Sequence, residues 1–110
     1  MNRANESNRK AVPFYETMLL FCYLGKNDWL SANRSVDRSM RENDHSRYHA
    51  FKAVVLAHEG KIEESKEWLK KYQENRPEIK TMEDYEKVVP GPSQEVTDIL
   101  LEGMRKAGLK

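Results

Sequence analysis

The sequence holds a single cysteine, Cys22, in 110 residues. An internal disulfide is therefore excluded, and a reducing, cytoplasmic setting is the natural expectation. Long hydrophobic runs are missing too. The longest, Met18 to Leu24, falls far short of the ~20 residues that a membrane-spanning helix needs. The polar stretch Met1 to Lys10 lacks the apolar segment of a secretory signal. Charge of one sign is also lacking. The chain carries 19 basic and 18 acidic side chains, a net +1, so no overall field draws in nucleic acid or an acidic membrane. β-Branched residues are few and never alternate over a useful length, which argues against a sheet. There is no glycine-rich phosphate loop, no catalytic pair of carboxylates and no nucleophile elbow. No catalytic residue, metal, cofactor or small-molecule substrate is expected on these grounds.

What is present is a high charged fraction, 34 %, beside 38 % hydrophobic residues. That balance suits a thin, solvent-rich helical architecture, and the length suits one domain. Residues 1–11 read as a flexible leader, and residues 12–110 as a single helical-repeat domain. Pro13 suits the first turn of a helix that runs through Phe14, Tyr15, Met18, Leu19, Phe21, Cys22 and Leu24 and stops at Gly25. Asn27 or Asp28 can cap the next helix, which carries Trp29, Ala32, Val36 and Met40 on one stripe. A third helix holds Tyr48, Phe51, Val54, Val55 and Leu56 and ends at Gly60. A fourth holds Ile62, Ser65, Trp68, Leu69 and Tyr72, with alternating charges on its outer face. Thr81 and Asp84 outline a capping box. Pro90-Gly91-Pro92 breaks the chain. Ser93 caps a last helix with Val96, Ile99, Leu100 and Met104, closed by Gly108 and Leu109. The expected class is all-α: a hairpin over 13–43, a hairpin over 46–76, and capping helices over 81–109.

The two hairpins share a layout. Each has an apolar first helix, a glycine-lysine turn (Gly25-Lys26 and Gly60-Lys61) and an amphipathic second helix, and the glycines lie 35 residues apart. Tetratricopeptide units repeat at about 34 residues, and such hairpins stack because one alone cannot bury its apolar face. The chain resembles tetratricopeptide-repeat proteins. Tyr48 to Pro77 is the better unit, with Ala53 and Ser65 as small residues at the helix crossing and Pro77 as terminator. The first unit departs from the pattern. Leu30 stands where a small alanine is usual, unless Ala32 serves, and Lys52 stands at a position usually apolar.

The end of the chain adds a second resemblance. Pro92-Ser93-Gln94-Glu95, then Leu101-Glu102-Gly103-Met104-Arg105-Lys106-Ala107-Gly108-Leu109, is similar to the terminal repeat segment of bacterial adenylate/guanylate cyclase-related proteins. The likeness covers roughly residues 46–110. In that family the region is non-catalytic and accompanies a cyclase or regulatory domain. The resemblance implies a protein–protein interaction module or adaptor, here as a free-standing relative or a remnant.

Several residues invite a chemical reading. His45 and His49 have a metal-binding spacing, but His45 falls in a turn and no zincin glutamate follows, so surface histidines are expected. Cys22 and His58 could meet across stacked hairpins as a thiol-enzyme fragment. Cys22 lies in the most apolar helix, however, where a buried, inert thiol is expected. Arg34, Arg38 and Arg41 share a helix face. They read as solvated charge beside Asp37 and Glu42, or alternatively as a site for RNA, phosphate or an acidic peptide. Trp29 and Trp68 are expected in the core. The interaction surface expected from the pattern comprises Tyr15, Leu19, Leu20, Tyr23, Arg47, Val54 and His58. The first helix is apolar almost all round and only a polar leader precedes it. Leu20 is therefore expected to lack an intramolecular partner and to mediate self-association or docking on a protein partner.

Overall fold

The computed structural model describes residues 17–42, 45–89 and 91–110, and every structural statement below concerns these. The leader, the start of the first helix at Pro13 and the expected site residue Tyr15 lie outside them. Helix α1 covers the described residues 17–25. It is followed by α2 (Trp29–Glu42), α3 (Ser46–His58), α4 (Ile62–Asn75), α5 (Met82–Glu86) and α6 (Gln94–Ala107). The described chain contains no strand, and none of its helices is long and apolar enough to cross a membrane.

Local chemistry explains where these helices stop and start. Gly60 takes a positive φ of 85°; its amide donates to Ala57 O, and that of Lys61 to Leu56 O. Gly108 repeats the arrangement at φ 111°, with Leu109 N donating to Met104 O and the Leu109 side chain buried. Both ends are Schellman motifs. The end of α1 uses the same bonds but corrects the expectation for Gly25. Gly25 stays helical, and Asn27 takes the left-handed position at φ 58°. Its amide donates to Leu24 O and that of Asp28 to Tyr23 O. Asparagine tolerates this region better than most residues. Asp28 then caps α2 by accepting from Ser31 N. His45 caps α3 through Nδ1, which accepts from Arg47 N. The Thr81–Asp84 capping box forms at α5, and Ser93 Oγ accepts from Val96 N at α6.

Helix α3 is the centre of the molecule. Tyr48, Ala50, Phe51, Ala53, Val54, Val55, Leu56 and Ala57 are all buried, because α2, α4 and α6 each pack against it. Lys52 Nζ meets Asp37, while Glu59 meets Asn33, so α2 runs antiparallel to α3. Ser65 Oγ donates to Ala53 O at 2.6 Å, while Trp68 lies against His49, so α4 does the same. Val54 lies beneath Gly103 and His58 against Ile99, which gives α6 that direction too. Helix α1 reaches α3 through an edge-to-face contact of Phe21 with Phe51. On α2, Ala32 is buried and Leu30 is 59 % exposed. The anomalous Lys52 is buried over most of its length, with its ammonium on Asp37 at 2.8 Å and also on Asn33 Oδ1.

Candidate functional site

The structure does not bring the expected surface residues together. Leu20 is fully buried in the core cluster with Leu24, Ala32 and Val36. The expectation that it lacks an intramolecular partner is therefore overturned. A helix that is apolar all round carries no phase of its own, and α1 turns Leu20 and Leu24 inward. It leaves Met18, 54 % exposed, and Cys22 toward solvent. Val54 is also fully buried, because α6 crosses directly over it. Leu19 and Tyr23 face α2 instead of α3. Arg47 is exposed at the other end of α3, with its guanidinium 5.3 Å from the Tyr48 ring centroid.

His58 is half-buried at the meeting of α2, α3 and α6. Its ring stacks on Trp29 at 4.3 Å, nearly parallel. Nε2 lies 2.9 Å from Ile99 O, so this nitrogen carries the hydrogen and donates. Nδ1 then offers its lone pair to Lys106 Nζ at 3.5 Å. Burial lowers the pKa of His58 from its ordinary 6.5, the Ile99 bond opposes this, and the Lys106 charge adds to the lowering. This histidine is held as a neutral structural bridge. Its ring is engaged by Trp29, Ile99 and Lys106.

Several cavities open among the described residues. The first lies between α1 and the start of α6. Met18, Phe21, Cys22, Pro92 and Val96 line about 340 Å³ of almost wholly apolar space. Cys22 is exposed there, contrary to the expected buried thiol. The second, about 160 Å³, lies between α1 and α2 and is lined by Leu19, Tyr23, Ser31, Arg34, Ser35 and Arg38. The third is an open groove of about 730 Å³. It exists because α2 and α4 flank α3 without touching. Its floor includes His49 and Trp68, and its rim includes Asp37, Arg41, Lys71 and Glu74. Lys71 Nζ sits 4.3 Å from the Trp68 ring centroid, so the exposed face of that ring is already covered. The fourth, about 220 Å³, gathers His45, Arg47, Arg76 and Tyr85 around the start of α3. Arg76 is tied there to Glu78 at 2.6 Å. The Tyr85 hydroxyl is buried without a hydrogen-bond partner, and burial raises its pKa.

Sequence reasoning missed the apolar cleft and the serines of the α1–α2 cavity. The cleft joins residues about 70 positions apart in sequence. No periodicity within one helix reveals such a pairing. The serines were legible: Ser31, Arg34, Ser35 and Arg38 follow the i, i+3, i+4, i+7 spacing of one helix face. His45 and His49 do not converge as a ligand pair, since His45 Nδ1 serves the α3 cap and His49 lies against Trp68. Among the described residues no group of three or more His, Cys, Asp or Glu could hold a metal. No protein-family model matches the chain, and neither a curated protein nor a solved structure matches it.

Proposed function

We propose that this chain works by binding protein, as a non-catalytic module of tetratricopeptide type, in a reducing compartment such as the cytoplasm. The observation that carries the reading is the α1–α6 cleft. Five residues enclose about 340 Å³ of apolar space open to solvent, and Met18 stands exposed at its edge. Exposed apolar surface of this kind is costly unless a partner covers it. The repeat reading is supported by two consecutive helix pairs that end their first helices on the same Schellman geometry, at Asn27 and Gly60, 33 residues apart. It is supported further by Ser65 and Ala53 meeting at a helix crossing. The occupant is a second copy of the chain or an apolar segment of another protein.

Cys22 provides the test. It is the only thiol and it lines the cleft. A thiol-linked photo-crosslinker of short reach on Cys22 should capture one discrete polypeptide in cells, or a covalent dimer of the purified chain. Met18→Glu should abolish that capture while leaving the helical spectrum unchanged. Labelled protein that stays monomeric and captures nothing discrete, with or without Met18→Glu, would defeat the reading.

A further inference from the structure

We propose that the cavity at the start of α3 is a binding site for a small monocarboxylic acid with an apolar body. The cavity holds about 220 Å³ and lies among the start of α3, the end of α4, and α5 with the residue Val88 that follows it. None of the residues that line it is acidic. Of its two arginines, Arg76 is already held by Glu78 at 2.6 Å. The other, Arg47, is exposed. Its guanidinium rests 5.3 Å from the Tyr48 ring centroid and meets no carboxylate among the described residues. His45 adds a neutral donor. Its Nδ1 accepts from Arg47 N at 3.2 Å, so the hydrogen of the uncharged ring sits on Nε2, and no described residue accepts it. The first turn of α3 carries no acidic side chain to offset the positive end of the helix. One full positive charge and one donor therefore border the cavity uncompensated.

A second observation points to an occupant without appeal to charge. Tyr85 lines the same cavity and is 2 % exposed, yet its hydroxyl has no hydrogen-bond partner among the described residues. A buried polar group left unpaired is costly and calls for a cause, and a ligand in the cavity supplies one. The remaining wall is largely apolar. Ala50 and Phe51 belong to it from the core, and Val88 stands 41 % exposed. The chemistry of the occupant follows from this set. A single uncompensated guanidinium matches a monoanion, and its planar fork matches the two oxygens of a carboxylate. A phosphate dianion would bring a second charge against apolar walls with no second free cation to meet it, which is costly. An acid with no apolar body would leave Val88 uncovered. Pockets for drug-sized molecules run from about 300 to 1,000 Å³, so this smaller cavity suits a smaller acid. The site shares no lining residue with the α1–α6 cleft and is independent of it.

The test is a titration of the intact chain with benzoate near neutral pH, followed by amide and aromatic-ring NMR at ionic strength held constant with chloride. Saturable shifts centred on His45, Arg47, Tyr72, Tyr85 and Val88 are expected. Arg47→Gln should weaken binding about tenfold or more, as loss of a charge-assisted donor predicts. Tyr85→Phe and Val88→Ser should each weaken it several-fold, through a lost neutral donor and lost apolar cover. Arg47 and Val88 are exposed and the Tyr85 hydroxyl is unpaired, so all three variants should keep the parent's circular dichroism spectrum. Benzamide has the body without the charge, and acetate the charge without the body; each should bind at least tenfold more weakly than benzoate. The absence of saturable shifts, shifts unchanged by Arg47→Gln, or benzamide or acetate binding as tightly as benzoate would each overturn the proposal. So would tighter binding of inorganic phosphate, which would show a polyanion site. Tighter binding of acetyl-glycyl-phenylalanine would overturn it as well, because it would assign the cavity to the carboxyl end of a polypeptide.

Discussion

Gly103→Ala sets two known effects against each other, and the structure decides between them. Alanine is the better helix former, which alone would stabilise α6 by about 0.5–1 kcal/mol. A Cβ at position 103, however, would lie 2.5 Å from Val54 Cγ1 and 2.9 Å from both Val54 Cα and Cβ. The side-chain methyl could rotate away, but the Cα of a central helix cannot move without dragging its neighbours. Helix α6 would have to lift from α3, loosening the buried Val96, Leu100 and Met104. Overpacking of this kind costs about 1–3 kcal/mol, and the loosened contacts add to it. The net expectation is a loss of about 1–2 kcal/mol, which lowers Tm by roughly 4–16 °C in a domain of this size. Urea denaturation followed by far-ultraviolet circular dichroism measures it. Val54→Ala in the same background removes only the 2.5 Å contact, so a double-mutant cycle should show a favourable coupling of about 0.5 kcal/mol or more with incomplete rescue. An unchanged or raised Tm in Gly103→Ala alone would mean that helix propensity wins and that α6 does not cross α3 this closely.

Leu20→Ala should cost about 2–5 kcal/mol, as core truncations do, whereas Met18→Ala should cost well under 1 kcal/mol; thermal melts of the pair report which face of α1 is inside. Tyr85→Phe removes a buried hydroxyl that has no partner, so chemical denaturation should find it neutral or more stable by about 1 kcal/mol. Folding lowers the pKa of His58 below its ordinary 6.5, so the unfolded chain binds this proton first. Stability should be at its plateau above pH 6.5 and fall as the pH drops from there toward the folded-state value. His58→Gln should flatten that part of the Tm–pH curve, and an equally steep curve in the variant would exclude His58 as the cause.

Fold class and helix order were legible because the signals are local. Apolar spacing of three and four located the helices, and Thr81, Ser93, Gly60 and Gly108 marked ends whose chemistry lies within a few residues. Even the wrong stop at Gly25 failed by only two positions, since Asn27 can take the same backbone conformation. The identity of the central helix was harder to read. The stretch Ala50 to Ala57 is apolar nearly all round, which is the mark of a buried helix. The first helix carries the same mark, and both sequences were open to that reading. What separates them is that α3 is covered by α2, α4 and α6, a fact of tertiary contact that no single helix encodes.

The expected site failed for the same reason. Leu19, Leu20 and Tyr23 follow one another closely, but a helix rotates each residue by 100°, so a surface assigned without the phase mixes faces. Tyr23 and Leu19 went to the α1–α2 cavity, Leu20 to the core and Met18 to solvent. The phase of α1 is set from outside, by the core residues Ala32 and Val36 of α2 and by Phe51 of α3. The same logic fixes what α6 can do. Gly103 permits the close crossing, and His58 donates to the backbone carbonyl of Ile99 one turn earlier. A side chain that binds a backbone carbonyl reads position along the helix without reading the residue there. His58 therefore fixes the sliding of α6 along α3, while Gly103 fixes their separation. Because α6 also carries Val96 into the apolar cleft, the shape of that cleft depends on both contacts. Gly103→Ala should then weaken crosslinking from Cys22 even at temperatures where the variant remains folded, whereas Tyr85→Phe, at the far cavity, should leave it unchanged. Equal crosslinking yields from the parent and Gly103→Ala would show that the cleft does not depend on the seating of α6.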